Sequence, residues 1–192
     1  KIINFPLFFF IYNTSNYYHF LYDTLPYLIS FVKLRKQIKN LKLLMSQPTT
    51  EKKENYKFVS EFLEILNINE NDIVLAEKNT LYKKIYISTS YTHDFDSNLP
   101  PRNEIFTFYK EIVKKIKKSF PFKETPKKIY VSRRTNIHNN LSNIGTNYTT
   151  RRKMVNEDEL VKKLVGLGYT EVFTENLTTF EKILYFSQCS DI

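Results

Sequence analysis

A strand–turn–helix–strand pattern in residues 127–174 constrains the fold of this chain more than any other stretch. Ile129–Val131 is a short run of β-branched and aromatic residues, which is typical of a strand, and the polar turn Ser132–Arg134 ends it. Apolar residues recur at helical spacing within residues 156–168, and a second strand pattern follows at Glu171–Thr174. The pattern therefore predicts one parallel α/β unit, with a ligand crevice at the carboxyl ends of its strands.

The helix in this unit carries its own start and stop signals. Asn156 is a favoured N-cap residue, and Glu159, three residues later, completes the sequence pattern of a capping box. Glu157 and Asp158 suit the positive end of a helix dipole, and Gly168 suits the C-terminal cap. We therefore expect the helix to begin at Asn156 and to end at Gly168.

The rest of the chain also alternates strands with helices, which predicts open, largely parallel sheets in an α/β fold. Residues 119–127 contain Pro121 and Pro126 and interrupt any regular element, so we predict a linker there. The linker separates an N-terminal α/β domain, residues 1–118, from a C-terminal domain, residues 128–192. Other strand patterns lie at Leu7–Tyr12, Leu41–Met45, Ile73–Leu75 and Leu81–Ser88, and other helical patterns at 17–30, 56–66, 105–116 and 178–186.

The aromatic helix after the first strand carries an imidazole and a carboxylate. His19 and Asp23 are four residues apart, so on a helix they share a face and can touch. A carboxylate beside an imidazole fixes which ring nitrogen carries the proton, which suits a base that takes a proton from a hydroxyl. The alternative is a local polar pair that only anchors the helix, and the residues alone leave both roles open.

Two motifs lie far apart in the sequence. Residues 16–26, NYYHFLYDTLP, follow an N-x-x-H-W-L-x-D-x-L-P pattern, with Phe20 in place of the tryptophan. Residues 129–168 contain IYVSRR, a variable loop, a second arginine pair and NEDEL, followed by a glycine-terminated helix. In this order and spacing the two motifs resemble glycosyltransferase family 61. Tyr27 departs from the family, which commonly has arginine at that position.

The resemblance implies a GT-B-type fold, in which two Rossmann-like domains face each other across a cleft. It also implies an inverting, metal-independent hexosyl- or pentosyltransferase. The expected donor is a nucleotide sugar, UDP-linked, which is a co-substrate and not a resident cofactor, and the expected acceptor is a glycan or glycoprotein. The chain ends at Ile192, where the family continues into an H-G-A segment. We therefore expect an incomplete second domain and no activity from these 192 residues alone.

Arginines are the candidate ligands for the donor phosphates. A departing diphosphate builds negative charge, and a guanidinium stays charged and offers a planar fork to phosphate oxygens. Arg133 and Arg134 follow a strand directly, and Arg152 belongs to the second arginine pair before the helix. A solvated basic turn is the alternative, but the position after a strand and the family motif favour phosphate binding. The resemblance places His19 and Asp23 in the active cleft as candidate catalytic residues.

Three further polar residues are predicted to line or position the cleft without reacting: Asn16, Ser132 and Asn156. Asp94 and Asp96 are spaced like the D-x-D motif by which a different glycosyltransferase fold holds a divalent metal. They lie in a loop pattern without the context of that fold. We therefore predict that no metal is bound.

The net charge of +9 leaves a second function open. A basic chain can bind nucleic acid. The lysines are scattered, however, and Ala76 is the only alanine, which indicates compositional bias together with a local anion site. Nucleic acid is therefore not the expected partner. The alternative function is a degenerate transferase, or a non-catalytic basic α/β module that binds polyanions.

The sequence does not specify the compartment in which the protein works. Leu7–Ile11 is an apolar run too short to span a bilayer, and this stretch contains no targeting signal or transmembrane segment. Cys189 is the single cysteine, so a disulfide within the chain is excluded. The secretory-pathway lumen and the cytoplasm both stay open.

Overall fold

The computed structural model describes residues 1–47, 55–92, 100–121, 124–132 and 154–192. Strand pairing among these residues is parallel throughout, which confirms the predicted α/β class with parallel sheets. The strands are β1 (Ile2–Ile3), β2 (Leu7–Phe10), β3 (Lys42–Met45), β4 (Ile73–Leu75), β5 (Leu81–Tyr82), β6 (Ile85–Tyr86), β7 (Ile129–Val131) and β8 (Thr170–Val172). The α-helices are α1 (Tyr17–His19), α2 (Leu28–Leu34), α3 (Lys57–Ile65), α4 (Asn103–Ser119), α5 (Glu157–Gly166) and α6 (Thr179–Gln188).

The chain divides into two units, Lys1–Glu111 and Ile112–Ile192. The division falls within helix α4, which contributes residues to both units. The predicted linker at residues 119–127, with the domain bounds drawn from it, stays a prediction. The arrangement of two Rossmann-like domains across a cleft also stays a prediction.

The four-stranded sheet of the first unit has the order β4-β3-β2-β6. Leu7, Phe8 and Phe10 of β2 are fully buried, so both faces of this strand are covered. Burial on both faces explains why the strand is continuously apolar in sequence. The chain passes from β2 to β3 on one side of β2, and β6 lies on the other side. The carboxyl end of β2 is therefore a topological switch point, where open α/β sheets form their ligand crevices.

The aromatic helix after β2 is irregular. Helix α1 passes into a π-helical stretch, Phe20–Thr24, here called the π segment, and then into a 3₁₀ turn, Leu25–Tyr27, before α2 begins. The sequence predicts one helix over residues 17–30 that Pro26 limits or bends. Because Pro26 has no N–H, it cannot extend the ladder of the π segment, and the change to a 3₁₀ turn occurs where it lies. The predicted interruption at Pro26 is confirmed.

The sheet of the second unit is built around β7. Strand β8 pairs in parallel with β7, and Ile129 lies opposite Thr170. Lys128 forms an isolated parallel bridge with Asp191, and the Ile129 N–H donates to the Asp191 carbonyl at 3.0 Å. Because alternate residues of a strand point their N–H groups to opposite edges, Asp191 lies on the edge of β7 away from β8. The carboxyl end of β7, at Ser132, is therefore a second switch point.

Helix α5 ends as predicted, and Asn156 lies at its N-cap position as expected, but the Asn156 side chain does not form the predicted cap. Gly168 adopts φ 86°, the left-handed conformation that a helix C-cap motif requires. The capping box predicted for Asn156 and Glu159 is wrong, because the Asn156 side chain makes no cap hydrogen bond. Its backbone, at φ −109° and ψ 31°, is not in the extended conformation typical of a capping residue. The capping box of α6, between Thr178 and Glu181, is present as predicted.

Candidate functional site

The loop after β2 is stabilised by local hydrogen bonds that its side chains make. The Asn13 side-chain oxygen accepts from the Asn16 N–H at 3.2 Å and from the Ser15 hydroxyl at 3.3 Å, which forms an Asx-type turn. The Thr24 hydroxyl donates to the Asn13 carbonyl at 2.9 Å, so the π segment is fastened to this turn. Asn16 has extended backbone angles, and its side-chain oxygen accepts from the His19 N–H at 3.1 Å. Asn16 therefore caps the short helix that presents His19.

The structure brings His19 and Asp23 together at this switch point. The His19 Nδ1 and the Asp23 Oδ2 are 2.7 Å apart, and the two side chains are 46% and 31% exposed. An ionised carboxylate only accepts hydrogen bonds, so Nδ1 carries the proton in this contact. In the neutral imidazole, Nε2 then holds the lone pair and can accept a proton. The arrangement matches the geometry of an oriented base, while its catalytic role stays a prediction.

Tyrosine rings flank the imidazole. Tyr18, 63% exposed, lies edge-on to His19 with 5.3 Å between ring centroids. Tyr18 also stacks on Tyr22, with 5.7 Å between centroids and 12° between ring planes. Polar groups set beside apolar rings are typical of small-molecule sites. A ligand that reaches His19 would therefore meet both an apolar ring face and the imidazole.

Two more tyrosines, Tyr17 and Tyr109, lie near the π segment. The Tyr109 hydroxyl, from α4, donates a hydrogen bond to the carbonyl of Leu21. Burial, together with the neighbouring Tyr17, raises the pKa of Tyr109 above its ordinary value. Burial, together with the Glu61 carboxylate, raises the pKa of Tyr17 in the same way. Both phenols therefore stay protonated in the neutral range. From the sequence, Tyr109 is only one of the residues in the helical pattern at 105–116.

In the second unit a buried carboxylate organises the end of β7. Ser132 is 2% exposed, and its hydroxyl donates to Glu157 Oε1 at 2.9 Å. The Tyr130 hydroxyl donates to the same oxygen at 3.0 Å, and Glu157 is 6% exposed. Sequence reasoning assigned Glu157 only to the helix dipole and gave the positioning role to Asn156, which is exposed. The sequence holds no signal that separates the two residues.

A second carboxylate follows β8, at the same edge of this sheet. Glu175 lies in a 3₁₀ turn, Thr174–Asn176, directly after the predicted strand, which ends at Thr174. Its Oε1 is buried and makes no hydrogen bond to the part of the chain that the structure describes. A buried carboxylate oxygen without a donor is rare and costs free energy. Sequence reasoning missed this residue as well.

The arginines predicted to bind phosphate, Arg133, Arg134 and Arg152, lie outside the described residues, and so does the Asp94–Asp96 loop. Their roles stay predictions. Across the described ranges, no group of three or more His, Cys, Asp and Glu side chains could hold a metal ion. No helix in those same ranges has the length and apolar character needed to cross a membrane.

Comparison with protein-family models gives a match that covers most of the chain. A family model described as Glycosyltransferase 61 matches residues 17–192. The matched region begins at α1, so it includes the His19–Asp23 pair and the whole β7–α5–β8 unit. No curated protein and no solved structure matches the chain.

Proposed function

Because the chain belongs to glycosyltransferase family 61, we propose that it transfers a pentosyl or hexosyl unit from a UDP-sugar to a hydroxyl of a glycan or glycoprotein acceptor. We propose further that the transfer inverts the anomeric carbon and needs no metal ion. Family membership implies a glycosyltransferase with a sugar donor and an acceptor. The observation that carries the finer proposal is the 2.7 Å contact between His19 Nδ1 and Asp23 Oδ2 at the carboxyl end of β2.

In this mechanism His19 is the base. The acceptor hydroxyl oxygen attacks the anomeric carbon and forms the new glycosidic bond, while the bond from that carbon to the diphosphate oxygen breaks. The hydroxyl proton passes to His19 Nε2, and Asp23 stabilises the imidazolium through the hydrogen bond at Nδ1. Attack on the face opposite the leaving group gives inversion in a single displacement.

In this proposal, residues of the second unit stabilise the leaving diphosphate. Arg133, Arg134 and Arg152 would stabilise the charge that builds on its oxygens, because guanidinium groups do not deprotonate at neutral pH. The two hydrogen bonds that Glu157 accepts, from Tyr130 and Ser132, support this assignment, because they fix the chain directly before the arginine pair. With cationic side chains at the phosphates, a divalent metal is not required.

The test is turnover by His19→Ala in the intact protein, with UDP-sugars screened against glycan acceptors. We expect turnover to fall by about 10²–10⁴-fold, because a general base contributes a factor of that size. UDP affinity should stay within about twofold of wild type. Glu77→Gln, which breaks an exposed ion pair with Lys1, is the control and should leave both quantities unchanged.

Turnover per folded molecule separates a base from a structural pair. A His19→Ala protein that melts at a lower temperature, yet has wild-type turnover for each folded molecule, would refute the catalytic role. Salt tests the alternative function. A polyanion-binding module contacting several phosphates loses affinity steeply as salt rises, whereas binding of one diphosphate changes little.

A further inference from the structure

One carbonyl group of the π segment, that of Leu21, receives no backbone N–H hydrogen bond at α-helical or π-helical spacing. At α-helical spacing the donor to the Leu21 carbonyl is the Leu25 N–H, but that group donates to the Phe20 carbonyl. At π-helical spacing the donor is Pro26, which has no N–H. This defect lies in the three-residue stretch that links His19 to Asp23.

Tyr109 supplies the missing donor from another helix. Its hydroxyl donates to the Leu21 carbonyl, and its ring packs against the apolar cluster of Ile29, Tyr91 and Ile105. The ring is therefore held by residues of both α2 and α4 and by Tyr91. Burial raises the pKa of Tyr109, so its O–H remains a donor through the neutral range.

We propose that Tyr109 is a positioning residue for the His19–Asp23 pair: by holding the Leu21 carbonyl it maintains the π segment, which keeps the imidazole on the carboxylate. Loss of the hydroxyl leaves the Leu21 carbonyl without this donor and favours a return to α-helical hydrogen bonding. That change rotates Asp23 about the helix axis relative to His19. Only the catalytic meaning of this geometry rests on the proposed function.

The test compares Tyr109→Phe with Tyr91→Phe in the full chain. Both changes remove one hydroxyl from the same apolar cluster, but the Tyr91 hydroxyl contacts Ser30 at 2.8 Å and not the π segment. The first readout is the NMR resonance of the His19 Nδ1–H, assigned by its disappearance in His19→Ala. We expect Tyr109→Phe to shift this resonance or broaden it by exchange, and Tyr91→Phe to preserve it. An unchanged His19 resonance in Tyr109→Phe would overturn the proposal.

Turnover gives the second readout. Tyr109→Phe should lower kcat by about 10- to 100-fold with the donor KM unchanged, because a misplaced base slows the chemical step without weakening donor binding. If His19→Ala retains wild-type turnover, the proposed function fails, and the NMR comparison still decides the role of Tyr109. If His19→Ala is inactive while Tyr109→Phe keeps wild-type kcat, the proposed function stands and the positioning role is refuted.

Pro26→Ala provides a rescue. It restores an N–H at π-helical spacing from the Leu21 carbonyl, so the hydroxyl of Tyr109 is no longer the required donor. In the double variant with Tyr109→Phe, we expect the His19 resonance to return toward that of the Pro26→Ala single variant. A double variant as perturbed as Tyr109→Phe alone would show that the Leu21 carbonyl is not the group through which Tyr109 acts.

Discussion

Replacement of Glu157 by alanine is the most direct test of how the end of β7 is held. The change removes the carboxylate, one oxygen of which accepts hydrogen bonds from Ser132 and Tyr130. A hydrogen bond to a charged group contributes about 1.5–3 kcal/mol, and part of the loss is recovered because the carboxylate no longer has to be desolvated. We therefore expect the free energy of unfolding to fall by about 2–4 kcal/mol.

A loss of that size is readily measured. For a chain of this length, 1 kcal/mol corresponds to about 2–4 °C, so the melting temperature should fall by roughly 4–16 °C. Far-UV circular dichroism follows the transition, and urea unfolding gives the free energy. Glu159→Ala is the matched control, because Glu159 is an exposed acidic residue in the same helical turn. It should change stability by no more than about 1 kcal/mol.

A double-mutant cycle identifies the interaction responsible. Ser132→Ala removes the buried donor, so Glu157→Ala and Ser132→Ala should couple by about 1–2 kcal/mol. If the two losses add without coupling, the hydrogen bond between these side chains contributes nothing. If Glu157→Ala melts at the same temperature as Glu159→Ala, the buried carboxylate does not hold the turn, and the proposed support for the arginine pair is wrong.

Three other measurements bear on the two units. Tyr17 and Tyr109 have raised pKa values, so the stability they contribute is fully present below pH 10, the ordinary tyrosine value, and is lost as pH rises above it. Urea unfolding at pH 9–11 should show Tyr109→Phe losing stability less steeply than wild type, by up to about 1.4 kcal/mol per pH unit. Arg133→Ala or Arg134→Ala should weaken UDP binding by about 10- to 150-fold in calorimetry, and wild-type affinity in the double variant would refute phosphate binding. Transfer should survive EDTA; abolition by EDTA with rescue by Mn²⁺ would implicate the Asp94–Asp96 loop instead.

The class of fold and most element positions follow from local sequence signals. The apolar run in β2 reflects burial on both faces, and the left-handed angle at Gly168 favours a residue without a β-carbon. The four-residue spacing of His19 and Asp23 was enough to predict that they could touch, although it did not predict the π-helical backbone in which they do. These features depend on neighbours in sequence, and so they could be predicted.

The parts that sequence reasoning missed depend on contacts between distant residues. The choice between Asn156 and Glu157 at the start of α5 is decided by the hydroxyls of Tyr130 and Ser132, about 25 residues earlier in the chain. Pro26 predicts that the helix is interrupted, but it does not predict that the preceding turn is π-helical. Nor does a tyrosine on an apolar helix face indicate that its hydroxyl completes that turn, because the pairing depends on how α4 packs.

In each unit, a carboxylate accepts a hydrogen bond from a candidate site residue. This contact lies near the C-terminal end of a strand that has neighbours on both edges. Asp23 accepts from the His19 ring, and Glu157 accepts from the Ser132 hydroxyl. An ionised carboxylate cannot donate, so it dictates where the proton of its partner lies, whereas an amide or hydroxyl in the same place could reverse the direction of the bond. For His19 this leaves Nε2 as the proton acceptor, and for Ser132 it fixes the rotamer of the residue before the arginines. We therefore expect Asp23→Asn to lower turnover even though the amide fits the same space, because its NH₂ group can donate to Nδ1 and leave the proton on Nε2. Wild-type turnover in Asp23→Asn would show that the direction of this hydrogen bond does not matter for the reaction.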